Sequence, residues 1–334
     1  MAALSESLET GRNQANSAMS VLSFGELLID FVALEMGVAV GEASGFVKAP
    51  GGAPANVAVS VARLGYPSAF MGQVGDDPFG RHLAGVLAAE NIDITGLTYS
   101  REARTALAFV SNTADGDRSF MFYRHPSADM LMKPADVNTA LIDACEVFHH
   151  GSITFIREPA ASALRLALER ASAAGKFISY DPNLRLPLWD NEKDARAGML
   201  SGLDSANLLK ISDEELEFLT GGDDVAPLWR ERMEMICVTY GAKGAVAHLK
   251  DGTRIAQGGY AVTATDTTGA GDAFVAAMLI GILENRANWR AMLPAILDFA
   301  NAVGALTCLG KGAIPSLPTM ALARDFQANQ TDRK

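Results

Sequence analysis

Asp266-Thr267-Thr268-Gly269-Ala270-Gly271-Asp272 runs directly into AFVAAMLIGIL at residues 273–283, and this junction governs the reading of the whole chain. An apolar segment with no polar face reads as a helix buried on every side. Small residues at its start leave the first backbone N–H groups able to point at an anion, and the helix dipole adds to the attraction. The junction therefore reads as a phosphate site. A glycine pair alone would be no more than a turn. Two aspartates beside a phosphate, however, need a reason, which is either chemistry or the handling of a cation. Asp272, in the first turn, is placed to take a proton from a hydroxyl while the amides of Gly269, Ala270 and Gly271 stabilise a transferring phosphoryl group.

Working outward, short apolar stretches at 21–31, 68–74, 147–150, 177–181, 207–211 and 235–240 alternate with helical patterns at 53–64, 79–89, 158–174 and 193–203. Nearly continuous apolar strands suit a sheet covered on both faces, and intervening helices make parallel crossovers. Trp289, Leu293, Ile296, Leu297, Ala300 and Val303 fall at helical spacing and give one core-facing stripe. The expected class is α/β, a central, mostly parallel sheet flanked by helices. Residues 31–49 and 105–124 break the rhythm. In the second, AFVSNTADGDRSFMFYR reads as two strands around a polar turn, and inserted strand pairs suggest a small β lid. No linker or internal repeat divides the chain. The expected organisation is a loose tail over 1–20, then one domain over 21–330 with that lid.

The 334 residues are 49% hydrophobic and 20% charged, the profile of a globular protein. A formal net charge of −11 argues against binding nucleic acid or an anionic membrane by bulk electrostatics, so any phosphate site must be local. Cys145, Cys237 and Cys308 are far apart, with no CxxC and no histidine at ligand spacing, which argues for a reducing, cytoplasmic compartment. The first twenty residues lack the basic start and apolar core of a signal peptide. No run of about 18 apolar residues predicts a membrane helix. GxxxxGK[ST] is absent, as are the HRD and DFG sets, which excludes P-loop and protein kinases. His82, His125, His149, His150 and His248 show no metal spacing, and the adjacent pair closes an apolar strand, where packing or a hydrogen bond is expected.

With the Asp266–Asp272 string, Gly51-Gly52-Ala53-Pro54-Ala55-Asn56-Val57-Ala58 and Gly72-Gln73-Val74-Gly75-Asp76-Asp77-Pro78-Phe79-Gly80, the chain resembles the ribokinase-like (PfkB) carbohydrate kinases from residue 21 to about 317. Gly25-Glu26-Leu27-Leu28-Ile29-Asp30-Phe31, Phe120-Met121-Phe122-Tyr123-Arg124, Pro126-Ser127-Ala128-Asp129, His150-Gly151-Ser152, Asp181-Pro182-Asn183-Leu184-Arg185 and Asn301-Ala302-Val303-Gly304-Ala305-Leu306-Thr307 look most like the fructokinases of that family.

The resemblance implies an ATP-dependent sugar kinase with Asp272 as base. Asp30 would accept hydrogen bonds from sugar hydroxyls at a strand's carboxyl end, where ligands gather in open α/β sheets. Gly51 and Gly52 would let the backbone approach the sugar, and Asn56 would offer donor and acceptor. Arg124 and Arg185 match basic residues that meet substrate or the transferred phosphate, although a surface ion pair is the commoner fate of arginine. Lys210, Thr239, Gly241, Gly244 and Asn301 would border ATP. Ser212-Asp213-Glu214-Glu215 stands where the family has Asn-x-x-Glu, so Glu215 would act through water on the Mg²⁺ that accompanies ATP. Read by themselves, the same acidic residues merely open a helix. The resemblance further implies a monovalent cation such as K⁺ near Asp266 and a homodimer formed through the lid. The rival readings are a kinase for another sugar or a sugar acid such as 2-keto-3-deoxygluconate, and a non-catalytic binder of sugar or nucleotide.

Overall fold

The computed structural model describes residues 21–35, 37–112 and 118–329; the expected tail over 1–20 and the turn at 113–117 lie outside them. In chain order the strands are β1 (Val21–Phe24), β2 (Leu28–Ala33), β3 (Phe46–Gly51), β4 (Ser68–Gly75), β5 (Asp93–Ser100), β6 (Leu107–Asn112), β7 (Arg118–Tyr123), β8 (Val147–His150), β9 (Phe177–Tyr180), β10 (Leu208–Ser212), β11 (Met235–Thr239), β12 (Ala245–Leu249) and β13 (Arg254–Gln257). The helices are α1 (Ala53–Arg63), α2 (Pro78–Ala89), α3 (Thr139–Ala144), α4 (Ala160–Ala173), α5 (Glu192–Ser201), α6 (Asp213–Thr220), α7 (Ala270–Glu284), α8 (Trp289–Thr307), α9 (Ala313–Ser316) and α10 (Met320–Asn329).

Nine strands form one sheet in the order β13-β12-β11-β10-β9-β8-β1-β4-β5. Its pairs are parallel except β11 with β12 and β12 with β13. Side chains of a strand alternate between faces, and the core follows that period of two. Val21, Phe70, Val74, Leu208, Met235 and Cys237 pack with α1, α7 and α8 on one face. Leu22, Ala69 and Met71 pack with α3 and α4 on the other, where Leu209, Ile211, Ile236 and Val238 pack with α5 and α6. The wholly apolar α7 lies in the first layer, with every residue from Asp272 to Ile282 buried.

The apolar run at 21–31 is two strands rather than one. β1 belongs to the large sheet, and the chain leaves it at Gly25, where a Cβ would fall 2.6 Å from Pro54 Cγ of α1. It re-enters as β2 in a second sheet of order β3-β2-β6-β7. Asp30 is thus on the small sheet, not at the end of the first strand as expected.

One face of this small sheet carries Asp30, Val32, Ala49, Val110 and Phe122 toward a cleft over the main domain. On the opposite face, Phe31 stacks on Phe109 at 5.0 Å, with Phe46 and Tyr123 edge-on to Phe109. Phe79 of α2 meets Phe31 edge-on. Asp77 ties the two bodies: it caps α2 through the amides of Phe79 and Gly80, and its other oxygen accepts the Thr105 N–H ahead of β6 at 2.8 Å. Strand β5 was not read from sequence, because DITGLTYS is an edge strand with five of its eight residues half-buried or exposed and no strict alternation. Among the described residues, no helix is long and apolar enough to cross a membrane.

Candidate active site

The start of α7 is a partition between two clefts. Asp266, Thr268, Gly269 and Asp272 face one cleft, which the small sheet roofs; Thr267, Ala270 and Gly271 face the other. A group held over these residues is within reach of both sides.

The loop is fixed from behind. Asp266 Oδ1 accepts the Thr268 amide at 2.9 Å and its hydroxyl at 2.6 Å, while Oδ2 accepts the Gly312 amide at 2.9 Å. Gly269, the N-cap, sits at φ 83, and a Cβ there would lie 2.8 Å from that of Ala313, so only glycine fits. The first-turn amides of Gly271 and Asp272 aim out of the helix end, as a helix start dictates, while the Ala270 N–H donates to the Thr267 carbonyl at 3.3 Å. A Cβ on Gly271 would stand 3.1 Å from Lys210 Nζ, so a buried ammonium lies directly beside these amides. Burial opposes the charge on Lys210, but Asp181, ion-paired to it at 3.0 Å, and Glu215 outweigh that and raise its pKa. A helix N-terminus and a lysine thus converge where the sequence placed a phosphate.

Asp272 is buried and accepts a 2.8 Å hydrogen bond from Asn56 Nδ2. Burial, with the nearby Asp181 charge, pushes its pKa up to about 6, against the pull of Asn56, Lys210 and Arg185. Asp30 reaches the same cleft from β2, and a Cβ on Gly51 would fall 2.1 Å from Asp30 Oδ2. Gly52 has φ 112 and would place a Cβ 2.4 Å from the Glu26 carbonyl oxygen. Arg185 also lines the cleft, its Nη1 donating to the Leu184 carbonyl at 2.9 Å.

Arg124 is placed differently from the expectation. It is buried in an ion pair with Asp129 and is not among the residues lining the cleft. Glu215 is also committed. It forms a capping box with Ser212, Oε2 accepting the Ser212 amide at 2.9 Å, while Oε1 accepts the Leu184 amide at 2.7 Å. Burial raises its pKa, with Asp181 adding to the rise. Among the described residues, no group of three or more His, Cys, Asp and Glu is arranged to hold a metal.

Thr239, Gly241, Gly244 and Asn301 line the second cleft together, whereas Lys210 stands behind Gly271 rather than on its wall. Asn301 acts through backbone, its Nδ2 donating to the carbonyls of Gln257 and Gly258 at 3.2 Å each. Several lining residues were not read from sequence: Glu26 and Asn183 in the first cleft, Tyr260, Val262, Ala264 and Cys308 in the second. Asn183 adopts φ 51 inside the Asp-Pro-Asn turn, which was quoted only as a motif. His149 and His150 line neither cleft. Burial lowers the pKa of both to about 3, and His149 Nδ1 meets Ser179 Oγ at 3.1 Å.

Residues 18–320 match the pfkB family carbohydrate kinase. Fructokinase-2 of Solanum lycopersicum is 49% identical over 320 residues, 93% of this chain and 97% of that protein. The fructokinase of Xylella fastidiosa with bound ATP superposes with a TM-score of 0.85 at 33% identity, covering 94% and 99% of the two chains. A double mutant of Vibrio cholerae O395 fructokinase, bound to fructose, ADP and potassium ion, gives 0.82 at 33% identity over 94% of this chain and all of that one. With a family match over most of its length and relatives near half-identical, this chain belongs to the pfkB family of carbohydrate kinases.

Proposed function

We propose that the chain is an ATP-dependent fructokinase, converting fructose and ATP to fructose 6-phosphate and ADP. The observation that carries the reading is the partition: a buried carboxylate, Asp272, lines one cleft while Ala270 and Gly271, its neighbours in the same helical turn, line the other. Fructose lies in the first cleft against Asp30, the Gly51-Gly52 backbone and Asn56. ATP lies in the second, along Thr239, Gly241, Gly244 and the wall pinned by Asn301. Asp272 takes the proton of the primary hydroxyl, whose oxygen attacks the γ-phosphorus in line. The amides of Gly269 and Gly271, with Lys210 beside Gly271, hold charge on the phosphoryl oxygens, whereas the Ala270 amide, expected to join them, is turned to the Thr267 carbonyl. No phosphoenzyme is required.

Mg²⁺ accompanying the nucleotide supplies charge neutralisation to the phosphates. Asp181, whose buried Oδ1 has no hydrogen-bond partner, would help to hold its water shell, and Glu215, held by the Ser212 and Leu184 amides, would contribute only through the remaining lone pairs of its oxygens. We place a monovalent cation such as K⁺ beside Asp266, on the strength of that buttressed carboxylate and the potassium-bound relative. The cysteines, with Cys145 and Cys237 buried as free thiols, accord with a reducing cytoplasm.

A sugar acid is disfavoured by the geometry. It would want both Arg124 and Arg185, but only Arg185 lines the cleft, among the carboxylates Glu26, Asp30, Asp266 and Asp272. A neutral polyol suits such a wall. The test is ADP formation from Mg-ATP with fructose, 2-keto-3-deoxygluconate, ribose, glucose, mannose and adenosine, with Asp272→Asn as control. Fructose is expected to lead, with activity lost in the variant; another preferred acceptor overturns the substrate, and undiminished activity in Asp272→Asn overturns the base.

The small sheet closes over the sugar and excludes water, a competing acceptor. Its outer aromatic face, with Met121 and Tyr123 exposed, pairs two subunits in our reading. Light scattering on the eluting protein is expected to give a dimer mass at micromolar concentration; a monomer overturns the pairing.

A further inference from the structure

Glu26 is buried, lines the carbohydrate cleft and belongs to none of the roles above. Its Oε1 accepts the N–H of Ala53, the first residue of α1, at 2.9 Å from 27 positions earlier in the chain. That helix has no side-chain cap of its own, because its N-cap is Gly52. Nothing but glycine fits there, since a Cβ would collide with Glu26's own carbonyl oxygen. The same residue thus excludes a capping side chain and supplies the cap. One turn into α1 is Asn56, whose amide holds Asp272. Two hydrogen bonds therefore connect Glu26 to the base through one rigid helical turn.

We propose that Glu26 is a positioning residue for phosphoryl transfer, anchoring the start of α1 so that Asn56 keeps the Asp272 carboxylate aimed at the sugar hydroxyl. The inference rests on Asp272 being the base. Burial raises the Glu26 pKa to about 7, with Arg124 opposing the rise and Asp129 adding to it, so what the site asks of this residue is an acceptor oxygen for the Ala53 N–H more than a charge.

The experiment is a pH–rate profile with separate KM values for wild type, Glu26→Ala, Glu26→Gln and Asn56→Ala. The charged groups facing Asp272 are Asp181, Lys210 and Arg185; those facing Glu26 are Arg124 and Asp129. Losing the Asn56 hydrogen bond removes an influence that lowers the Asp272 pKa, so the acidic limb of kcat should move to higher pH in Glu26→Ala. Turnover should fall by about tenfold to a hundredfold, the scale of small misplacements of a reacting group, with KM for ATP unchanged. Glu26→Gln keeps the acceptor oxygen and should restore the limb and most of the turnover. Glu26→Ala added to Asn56→Ala should cost little more, because both act along one line.

An unmoved limb with wild-type turnover in Glu26→Ala overturns the proposal, as do losses that multiply in the double variant. Should Glu26→Ala not fold, Glu26→Asp draws the acceptor back by one methylene, and an unmoved limb there is equally fatal. A fully active Asp272→Asn would instead remove the reading on which the inference rests.

Discussion

The two clefts that meet at α7 are made of different material. On the side we assign to the carbohydrate, Glu26, Asp30, Asn56, Asn183, Arg185, Asp266 and Asp272 present polar and charged side chains. On the side we assign to the nucleotide, nine of the sixteen lining residues are glycine or alanine, the others include Thr239, Tyr260, Phe274 and Asn301, and none of the described residues lining it is charged. Side chains discriminate among hydroxyl patterns and move protons. Bare backbone lets a large planar group approach closely and offers N–H groups to its phosphates. The contrast implies that damage to one cleft should leave the other working, with the turn from Thr267 to Asp272 as the boundary they share.

The largest expected effect is that of Asp272→Asn on turnover. The carboxamide keeps the shape and can still accept from Asn56, but it is no proton acceptor, so kcat should fall by about 10² to 10⁴. Calorimetric titration with Mg-ATP should give wild-type affinity. A collapse of nucleotide binding in the variant would mean that the partition transmits side-chain changes across itself and the two clefts are not separable.

The same substitution should stabilise the fold. Asp272 rises from its ordinary 3.8 to about 6 in the native protein, chiefly through burial, so the folded chain binds this proton more tightly than the unfolded one. Stability is therefore lost as pH rises from about 4 through 6. At roughly 1.4 kcal/mol per pH unit, the cost at neutral pH is about 3 kcal/mol. Urea unfolding at pH 7.5 should show Asp272→Asn more stable than wild type by that order, with the gap shrinking as pH is lowered toward 4. No gap at pH 7.5 would mean that the cleft solvates the carboxylate after all. The nucleotide wall, being uncharged, carries no comparable strain.

The difference in material also explains what was legible in the sequence. Asp30, Asn56, Asp272 and Arg185 could be named because a polar side chain in a motif implies a task. Glu26 stands in the Gly25–Phe31 stretch that carries the resemblance, but its task depends on the start of α1 lying against it, which the sequence does not display. Arg124 was named, yet the fold spends its charge on Asp129, five residues on and invisible to any periodicity. The α/β class and most elements of the large sheet follow from apolar runs. The break at Gly25, which sends β2 into the second sheet, depends on Pro54 lying across the chain. Tyr260 makes a single bridge and Val262 and Ala264 follow on irregular chain, so neither period nor motif marks them.

A matched pair of glycine substitutions gives the smallest and most selective test. At Gly51 a Cβ would meet only the Asp30 carboxylate closely, at 2.1 Å from Oδ2, a side chain able to swing away. Gly51→Ala should therefore cost the fold little while turning Asp30 off the sugar, raising KM for fructose about tenfold, the worth of roughly one charge-assisted hydrogen bond. KM for ATP should not move. At Gly244 the backbone itself is special: φ is 98, and a Cβ would lie 2.1 Å from the Gln257 carbonyl oxygen and 2.6 Å from the Gly259 amide nitrogen. Gly244→Ala must either hold an L-residue in that region, at about 1 to 3 kcal/mol, or push the 257–259 segment outward. Asn301 grips the carbonyls of Gln257 and Gly258, so displacement reshapes the nucleotide wall. KM for ATP should rise about tenfold or more, with KM for fructose at saturating ATP unchanged. Crossed effects, with Gly51→Ala weakening ATP or Gly244→Ala weakening fructose, would show that the sheet binds its two substrates as one coupled site.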